Sequence, residues 1–382
     1  MAWEKVKLGD IAICIQPGPF GSQLHNSDYS ESGTPIIMPK DMIDGKISHS
    51  NLIFVGEEHT KRLCRHQVHA GNLMVARKGD VRKCVFITEN EDGWMTGSDC
   101  LKVALKENYC YPRFIYYQLR SPFIGRWLEK ISIGATMPSI NTGLLSSIEL
   151  VLPSLKEQKR IADILSAYDN LIENNQKQIK LLEEAAQRLY KQWFIDLRFP
   201  GHETTPIVGG LPEGWRKECL GNLVPILTGK KDANYGTADG KYPFFTCSQE
   251  PIKSPGYSFD TSAVILAGNG DFNVKLYRGK FEAYQRTYVL APKDKNYLYL
   301  VYNSVQGKMR ELFQGASGST IKFLTKGMIE SIPIVIPSNL ILKKFNDLQD
   351  AIQKKIEVLK TSIICSVESR DRLLPKLMNG EM

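Results

Sequence analysis

The chain has 382 residues, a formal net charge of +8 and eight scattered cysteines without a C-x-x-C pair. This length exceeds one typical core, so we expect two or more domains, and the cysteine usage suits reduced cytosolic thiols and excludes a disulfide framework. No apolar run reaches the length of a membrane span and the N-terminus lacks an apolar signal core, so the sequence predicts a soluble cytoplasmic protein whose charge suits a polyanionic partner.

Residues 1–153 have mostly the period of strands. Short apolar runs there are bounded by Gly, Pro, Asp and Asn, which is typical of strands joined by turns. One stretch, Pro112–Leu128, predicts a helix. We therefore expect a mixed α/β domain. Its strands are predicted at Ile36–Met38, Leu73–Ala76, Val85–Ile87, Leu101–Leu105 and Ile148–Leu152.

Residues 154–199 follow a heptad pattern, with apolar residues alternately four and three positions apart. Ser154 and Glu157 form an S-x-x-E capping box, and Phe199-Pro200-Gly201 ends the pattern. A helix over 155–197 would be roughly 65 Å long at ~1.5 Å per residue, which is too long for a small globular core. We therefore expect it to pair with a second helix, and the alternative is a single amphipathic helix lying on an ordinary domain. The predicted seam of this helix consists of Ile161, Leu165, Ile172, Ile179, Leu182, Leu189 and Trp193.

The second half of the chain repeats the first. After a predicted linker at 200–212, the pattern W-x-K-x-x-L-G of Trp3 recurs at Trp215, a shift of 212 residues. Further on, G-[AS]-T at Gly134 recurs at Gly318, a shift of 184. The drift predicts loops of different length on a common framework, and therefore a duplicated α/β domain at 213–337. Its helix is expected at Tyr297–Leu312, and its strands at Phe244–Thr246, Ala263–Ala267, Thr287–Ala291 and Ile332–Ile336.

Residues 338–382 form a weaker copy of the long heptad helix. Ile341 stands where the capping Glu157 would match, and Pro375 is expected to end or kink the helix near Leu374. The predicted seam of this copy consists of Ile352, Ile356, Leu359, Ile363 and Leu373.

The predicted fold class is α+β (mixed α/β) with an internal pseudo-twofold repeat. Two tandem α/β domains are separated by two long antiparallel coiled-coil helices. This organisation resembles the DNA specificity subunits of type I restriction-modification enzymes. The resemblance covers the whole chain and rests on the W-x-K-x-x-L-G openings, on the G-[AS]-T…P-S approach to each helix, and on the run from Ile172 through Gly201 that includes IENNQKQI and WFIDLRFPG.

The resemblance implies two target recognition domains, held apart by the helices, that each read half of a split asymmetric site in double-stranded DNA. It also implies two methyltransferase subunits docked on the helices, with motor-nuclease subunits joining for restriction. The chain itself is then a non-catalytic subunit. No cofactor is expected on it, whereas S-adenosylmethionine, ATP and magnesium are expected on the partner subunits.

The catalytic motifs that are missing agree with this interpretation. No adjacent Pro-Pro exists for an N/D-P-P-Y/F loop that would hold a flipped adenine, and no G-x-x-x-x-G-K-[ST] phosphate loop is present. Cys64, His66 and His69 lack a nearby fourth ligand, so no metal site is expected. Two alternatives remain open, a coiled-coil scaffold and a stand-alone DNA-modifying enzyme.

The candidate DNA contacts are basic and amide residues in predicted turns between strands. Arg reads guanine bidentately and Asn reads adenine. Phosphate contacts are expected from Lys230, Lys231, Lys275, Arg278, Lys280 and Arg286. The alternative is that such residues are solvated surface charges. The candidates are Arg77, Lys78, Arg82 and Lys83 in the first domain, and Lys230, Lys231, Asn269, Asn273, Lys275, Arg278 and Arg286 in the second.

Overall fold

A computed structural model of the chain describes residues 3–134, 137–316, 318 and 322–381. Part of the G-[AS]-T repeat, namely Ala135, Thr136, Ser319 and Thr320, lies outside these residues. The chain divides into two compact units, residues 1–174 with 362–382 and residues 175–361. Each unit is a mixed α/β domain together with a stretch of both long helices, which confirms the predicted fold class.

The first unit is built on two four-stranded sheets. One is antiparallel with the order β2-β11-β8-β9, and the other has the order β10-β4-β7-β3 with β10 parallel to β4. The strands are β1 (Glu4–Lys7), β2 (Ala12–Pro17), β3 (Tyr29–Ser30), β4 (Thr34–Ile37), β5 (Met42–Ile43), β6 (Lys46–Ile47), β7 (Ile53–Val55), β8 (Leu73–Ala76), β9 (Cys84–Phe86), β10 (Met95–Thr96), β11 (Cys100–Leu105) and β12 (Glu149–Leu152). The helices are α1 (Leu8–Ile11), α2 (Glu57–Arg62), α3 (Pro112–Leu119), α4 (Pro122–Ile131) and α5 (Thr142–Ser146).

The helix predicted over 112–128 is two helices, α3 and α4. The break falls at Ser121, whose hydroxyl accepts a hydrogen bond from the Ile124 amide at 3.4 Å and caps α4. Pro122 follows at the first helical position, where a missing N–H costs nothing. A cap next to a proline therefore overrides the apolar period that suggested one helix.

The first long helix, α6 (Leu155–Tyr190), continues as a π-helical turn over Lys191–Ile195. It therefore ends two residues before the predicted end at Leu197, which takes a left-handed φ of 56°. Only half of the predicted capping box forms. The Ser154 hydroxyl accepts from the Glu157 amide at 3.3 Å, whereas the Glu157 carboxylate accepts from Arg160.

The second unit is built on one six-stranded sheet with the order β16-β21-β19-β20-β17-β18, in which only the β17–β20 pair is parallel among the described pairings. The strands are β13 (Ile207–Val208), β14 (Leu211–Pro212), β15 (Arg216–Cys219), β16 (Ile226–Thr228), β17 (Tyr242–Phe245), β18 (Ile252–Ser254), β19 (Phe259–Ala267), β20 (Val274–Ala283), β21 (Thr287–Leu290) and β22 (Pro333–Ile336). The helices are α7 (Leu220–Leu223), α8 (Leu298–Gly315) and α9 (Lys326–Glu330).

Strand β20 was not predicted, and the placement of three basic residues in turns was wrong. Lys275, Arg278 and Lys280 lie within β20, which pairs with β19 over eight residues. Their side chains are polar and leave no clear apolar alternation, so the backbone pairing decides the structure here. The predicted linker also carries structure, because Gly209 and Gly210 take positive φ in the two-residue turn of the β13–β14 hairpin.

The last helix, α10 (Asn339–Met378), runs through Pro375. Of the two outcomes predicted for this proline, an end or a kink near Leu374, the end was therefore wrong. Leu377 and Met378 are buried in the core of the first unit, and this packing keeps the last turn helical. A proline so close to the end removes only one backbone hydrogen bond of the helix.

The two long helices are antiparallel within each unit. In the second unit the Gln349 side chain donates to the Ala186 carbonyl at 3.2 Å, and Phe345 packs against Trp193, so α10 runs backwards along α6. In the first unit Arg370 pairs with Asp169 at 2.7 Å. Of the predicted seam, Ile161, Leu165, Ile172, Trp193, Ile356 and Leu359 are buried, and Ile179, Leu182, Leu189, Ile352, Ile363 and Leu373 are half-buried.

The duplication is visible in matching backbone contacts. The Leu8 amide donates to the Ile148 carbonyl at 2.9 Å, and the Leu220 amide donates to the Ile332 carbonyl at the same distance. The glycine that follows each leucine faces the helix before the last strand of its domain. A Cβ at Gly9 would lie 3.0 Å from the Cβ of Ser146, and a Cβ at Gly221 would lie 2.9 Å from the Cβ of Glu330. This close approach explains the Leu-Gly pair of the repeated motif.

Candidate nucleic-acid interface

Four loops meet at one end of the six-stranded sheet of the second unit. The Gly229 amide donates to the Thr287 carbonyl at 3.1 Å, and the Gln285 amide donates to the Lys231 carbonyl at 3.0 Å. Backbone contacts of this kind bring together loops that are far apart in sequence. We call residues 229–231, 246–250, 268–273 and 284–286 the second loop cluster.

The second loop cluster contains most of the DNA contacts predicted for this unit. Lys230 and Arg286 are exposed and, within the described ranges, have no hydrogen-bonded or ion-paired side-chain partner. Lys231 lies over the Tyr235 ring, 4.4 Å from its centroid, and Asn269 is half-buried. The cluster therefore presents cations and an amide on a backbone that is held in place.

Asn273 and Lys275 hold the cluster together. The side-chain amide of Asn273 donates to the Cys247 carbonyl at 3.1 Å, and the Lys275 ammonium donates to the Ser248 carbonyl at 2.8 Å. Burial lowers the pKa of Lys275 from its usual value. Both side chains fix the loop at 246–250 and have few donors left for DNA.

Arg278 lies outside the second loop cluster. It pairs with Ser262 in the β19–β20 ladder, about 13 Å along the strand from Val274 at ~3.3 Å per residue. Its guanidinium contacts the Asp350 carboxylate on α10 at 3.2 Å, and the Tyr299 hydroxyl donates to the same oxygen at 2.8 Å. Arg278 thus ties the sheet to the helix.

The first unit has a loop cluster with an equivalent backbone. The Gly18 amide donates to the Cys100 carbonyl at 3.1 Å, matching Gly229 and Thr287. The Gly79 amide donates to the Pro138 carbonyl at 3.0 Å. We call residues 18–20, 77–83, 97–99 and 137–140 the first loop cluster.

Two pairs of contacts make the equivalence specific. The Arg77 amide donates to the Asp99 carbonyl at 2.7 Å, and the Gly268 amide donates to the Arg286 carbonyl at 2.9 Å. The next residue forms an isolated antiparallel bridge in both units, Lys78 with Ser139 and Asn269 with Phe323. The two clusters therefore share a framework on which the side chains differ.

The four predicted residues of the first loop cluster differ in how many partners their side chains already have within the protein. Lys78 forms an ion pair with Asp99 at 3.2 Å. Arg82 donates to Asp80 at 2.8 Å and lies 3.2 Å from the Glu129 carboxylate, and its hydrogen bonds lower the pKa of Asp80. The Lys83 ammonium donates to the Pro39 carbonyl at 2.9 Å. Among the described residues, the Arg77 guanidinium has one hydrogen-bond contact, to the Ser98 carbonyl at 3.5 Å, and it lies 5.7 Å from the centroid of the Phe20 ring.

The sequence reasoning missed two exposed aromatic residues, Phe20 in the first loop cluster and Phe323, which pairs with Asn269 of the second. A phenylalanine in a sequence normally predicts core, and only the fold shows that these rings face solvent. For Phe20 a signal existed, because Pro17-Gly18-Pro19-Phe20-Gly21 is a turn-type sequence.

The imidazoles of His66 and His69 have protein partners. Arg65 donates to Nε2 of His66 at 3.1 Å, so Nδ1 carries the proton and donates to the Pro17 carbonyl at 3.0 Å. Burial lowers the pKa of His66, which keeps the ring neutral. His69 lies 3.3 Å from Asp92. In the part of the chain that the structure describes, no group of three or more His, Cys, Asp or Glu side chains is arranged to hold a metal ion, and no helix there is long and apolar enough to cross a membrane.

Comparisons with known proteins show which family this chain resembles. The family model for the type I restriction modification DNA specificity domain matches residues 2–184 and 212–367. The specificity subunit of the type I restriction enzyme MjaIX from Methanocaldococcus jannaschii is 30% identical over 416 aligned residues, covering 100% of this chain and 93% of that protein. The EcoDI specificity subunit from Escherichia coli is 39% identical over 180 residues, which cover 46% of this chain and only 40% of that protein.

A solved structure shares the fold. The crystal structure of a type I restriction-modification S subunit from M. genitalium superposes with a TM-score of 0.61 at 15% sequence identity. The superposition covers 98% of this chain and 96% of that one. At this identity the likeness concerns the architecture alone.

Proposed function

Because the chain belongs to the type I restriction-modification DNA specificity family, we propose that it is the recognition subunit of a type I enzyme and that each unit reads one half of a bipartite, asymmetric site in double-stranded DNA. One observation carries this proposal. Equivalent backbone positions hold Lys78 and Asp99 in the first unit but Asn269 and Arg286 in the second. A shared framework with different loop chemistry is what two half-sites of different sequence require.

The long helices are the proposed docking surface for two methyltransferase subunits, with motor-nuclease subunits joining for restriction. Each unit leaves large apolar side chains exposed on these helices. Leu171 and Ile364 are 43% and 59% exposed in the first unit, and Leu181 and Val358 are 63% and 62% exposed in the second. Docking of a partner on these helices would remove this apolar surface from water, which favours association.

In this proposal the chain contributes recognition and no catalysis. S-adenosylmethionine, ATP and magnesium are bound by the partner subunits, and the complex acts on DNA in the cytoplasm. The absence of a base-holding Pro-Pro motif and of a phosphate loop from the full sequence supports this division of labour.

The test is reconstitution of the full chain with its methyltransferase subunit, followed by mapping of methylated adenines on a randomised DNA library. We expect two specified blocks of bases separated by an unspecified gap. One continuous block would contradict a bipartite site. The chain alone is the control: methylation without the partner would support a stand-alone enzyme, and a complex that does not bind DNA would support a coiled-coil scaffold.

A further inference from the structure

We infer that Arg77 and Arg286 are the guanine-reading residues of the two units. Each unit has an equivalent backbone junction, and the two arginines stand on opposite sides of it. In the first unit the junction is the hydrogen bond between the residue after β8 and the residue before β11. In the second unit it is the hydrogen bond between the residue after β19 and the residue before β21. This inference rests on the proposed function, since it names the residues through which each unit would read its half-site.

The junction is the same in both units. In the first unit the residue after β8 is Arg77, and its carbonyl accepts from the Ile140 amide at 2.9 Å. In the second unit the residue after β19 is Gly268, and its carbonyl accepts from the Leu324 amide at 2.8 Å. Each junction therefore joins three backbone segments, and a side chain that starts there has a fixed origin.

The arginine occupies opposite sides of the junction in the two units. The first unit has Arg77 facing Asp99, whereas the second has Gly268 facing Arg286. A Cβ at Gly268 would lie 2.4 Å from the Arg286 carbonyl oxygen and 2.9 Å from the Tyr288 ring. A side chain at Gly268 would therefore require the Arg286 backbone or the Tyr288 ring to move. In the second unit the arginine stands instead at position 286, on the other side of the junction. Each junction thus presents one arginine.

Both arginines have a rigid origin and free donors. Arg286 lies in a turn closed by the Thr287 amide, which donates to the Tyr284 carbonyl at 2.8 Å. Its exposed guanidinium has no hydrogen-bonded or ion-paired partner among residues 3–134, 137–316, 318 and 322–381. The guanidinium carbon of Arg77 lies 5.7 Å from the centroid of the Phe20 ring. Bidentate recognition of guanine O6 and N7 needs guanidinium N–H groups that the protein leaves unsatisfied, and a backbone held in place fixes where the side chain starts.

Two other arginines that were predicted to contact DNA, Arg82 and Arg278, lack this freedom. Arg82 is occupied by the carboxylates of Asp80 and Glu129, and Arg278 is occupied by Asp350. The competing role for Arg77 and Arg286 is a phosphate contact. A phosphate contact strengthens binding to every sequence alike, whereas a base contact strengthens binding to one base. The experiment must separate these two effects.

The experiment uses the full chain reconstituted with its methyltransferase subunit and compares wild type with Arg286→Gln and Arg77→Gln on a randomised DNA library. For Arg286→Gln we expect a guanine preference at one position of one half-site to fall by about 10- to 100-fold, which is the range of a lost bidentate contact. The other bases of that half-site should stay specified, which shows that the unit is folded. Arg77→Gln should act in the same way on the other half-site only.

Arg310→Gln is the matched control, because Arg310 is an exposed arginine on α8 outside the loop cluster and should change no base preference. Equal weakening of binding to all sequences, with a salt slope reduced by about one, would show a phosphate contact and overturn the inference. Loss of preference in both half-sites from one substitution would overturn it as well. If the wild-type complex showed no sequence preference at all, the proposed function itself would fail, which is a different outcome.

Discussion

Asp169 on α6 is the centre of a buried polar cluster in the first unit. One carboxylate oxygen accepts from the Tyr117 hydroxyl at 2.6 Å, and the other lies 2.7 Å from the Arg370 guanidinium on α10. Tyr117 is buried, and Arg370 also contacts Asp371 at 2.8 Å. The Asp169→Ala substitution would leave a buried hydroxyl without its acceptor and a half-buried cation with only an exposed partner.

The expected cost follows from these contacts. Breaking a buried ion pair from one side costs about 3–5 kcal/mol, and a buried hydroxyl without a partner costs about 1–3 kcal/mol, but the two terms share one carboxylate and do not add. Because Arg370 keeps Asp371, we take the low end, about 3 kcal/mol. For a unit of this size that corresponds to a melting temperature lowered by roughly 6–12 °C, at about 2–4 °C per kcal/mol.

The measurement is differential scanning calorimetry of the full chain. Asp163→Ala is the matched control, because Asp163 lies on the exposed side of the same helix and should change stability by less than about 0.5 kcal/mol. Asp169→Asn should fall between the two, since an amide oxygen still accepts from Tyr117 while the charge is lost. If Asp169→Ala melted at the same temperature as Asp163→Ala, the cluster would not hold the first domain to its helices and the reasoning would be refuted.

Two further predictions concern the second unit. In Gly229→Ala the new Cβ would lie 2.0 Å from a backbone carbonyl oxygen, so we expect thermal denaturation to show a loss of stability of about 1–3 kcal/mol. The control is Gly327→Ala, whose Cβ would have no atom within 4 Å and should meet no such clash. Equal losses of stability in the two variants would contradict the close approach at Gly229. Hydrogen bonds from Lys354 and Tyr299 lower the pKa of Asp350 to about 2 from the usual 3.8, so its stabilisation is complete above about pH 4 and is lost as the pH falls toward 2. Asp350→Asn should therefore lower the melting temperature at neutral pH and have little effect near pH 2, and an equal effect at both would refute this linkage.

The long helices and the duplication could be predicted because their signals are local and repeated. A heptad pattern needs only the order of apolar residues, and the Leu-Gly pair of each opening motif marks a close backbone approach that both copies share. Details that depend on tertiary packing were missed. The final turn after Pro375 survives because Leu377 and Met378 are buried in the core of the first unit, and no local pattern shows that.

The loop clusters were predictable by residue type but not by geometry. The sequence indicated that cationic turns would carry recognition. It gave no reason to separate Arg286 from Arg278, because the difference lies in the Asp350 carboxylate that a distant helix brings to Arg278. Whether a charge is free or paired is a property of the fold, so the reading residues can only be selected once the fold is known.

The central claim is that each unit reads its own half of the site, and exchange of one domain tests it most directly. Residues 1–153 are replaced by the corresponding domain of a related specificity subunit, and methylated adenines are mapped for the parent and the hybrid complexes on the same library. We predict that one half of the recognised sequence changes while the other half is retained base for base. A hybrid complex that altered both halves, or neither, would contradict independent reading by the two units.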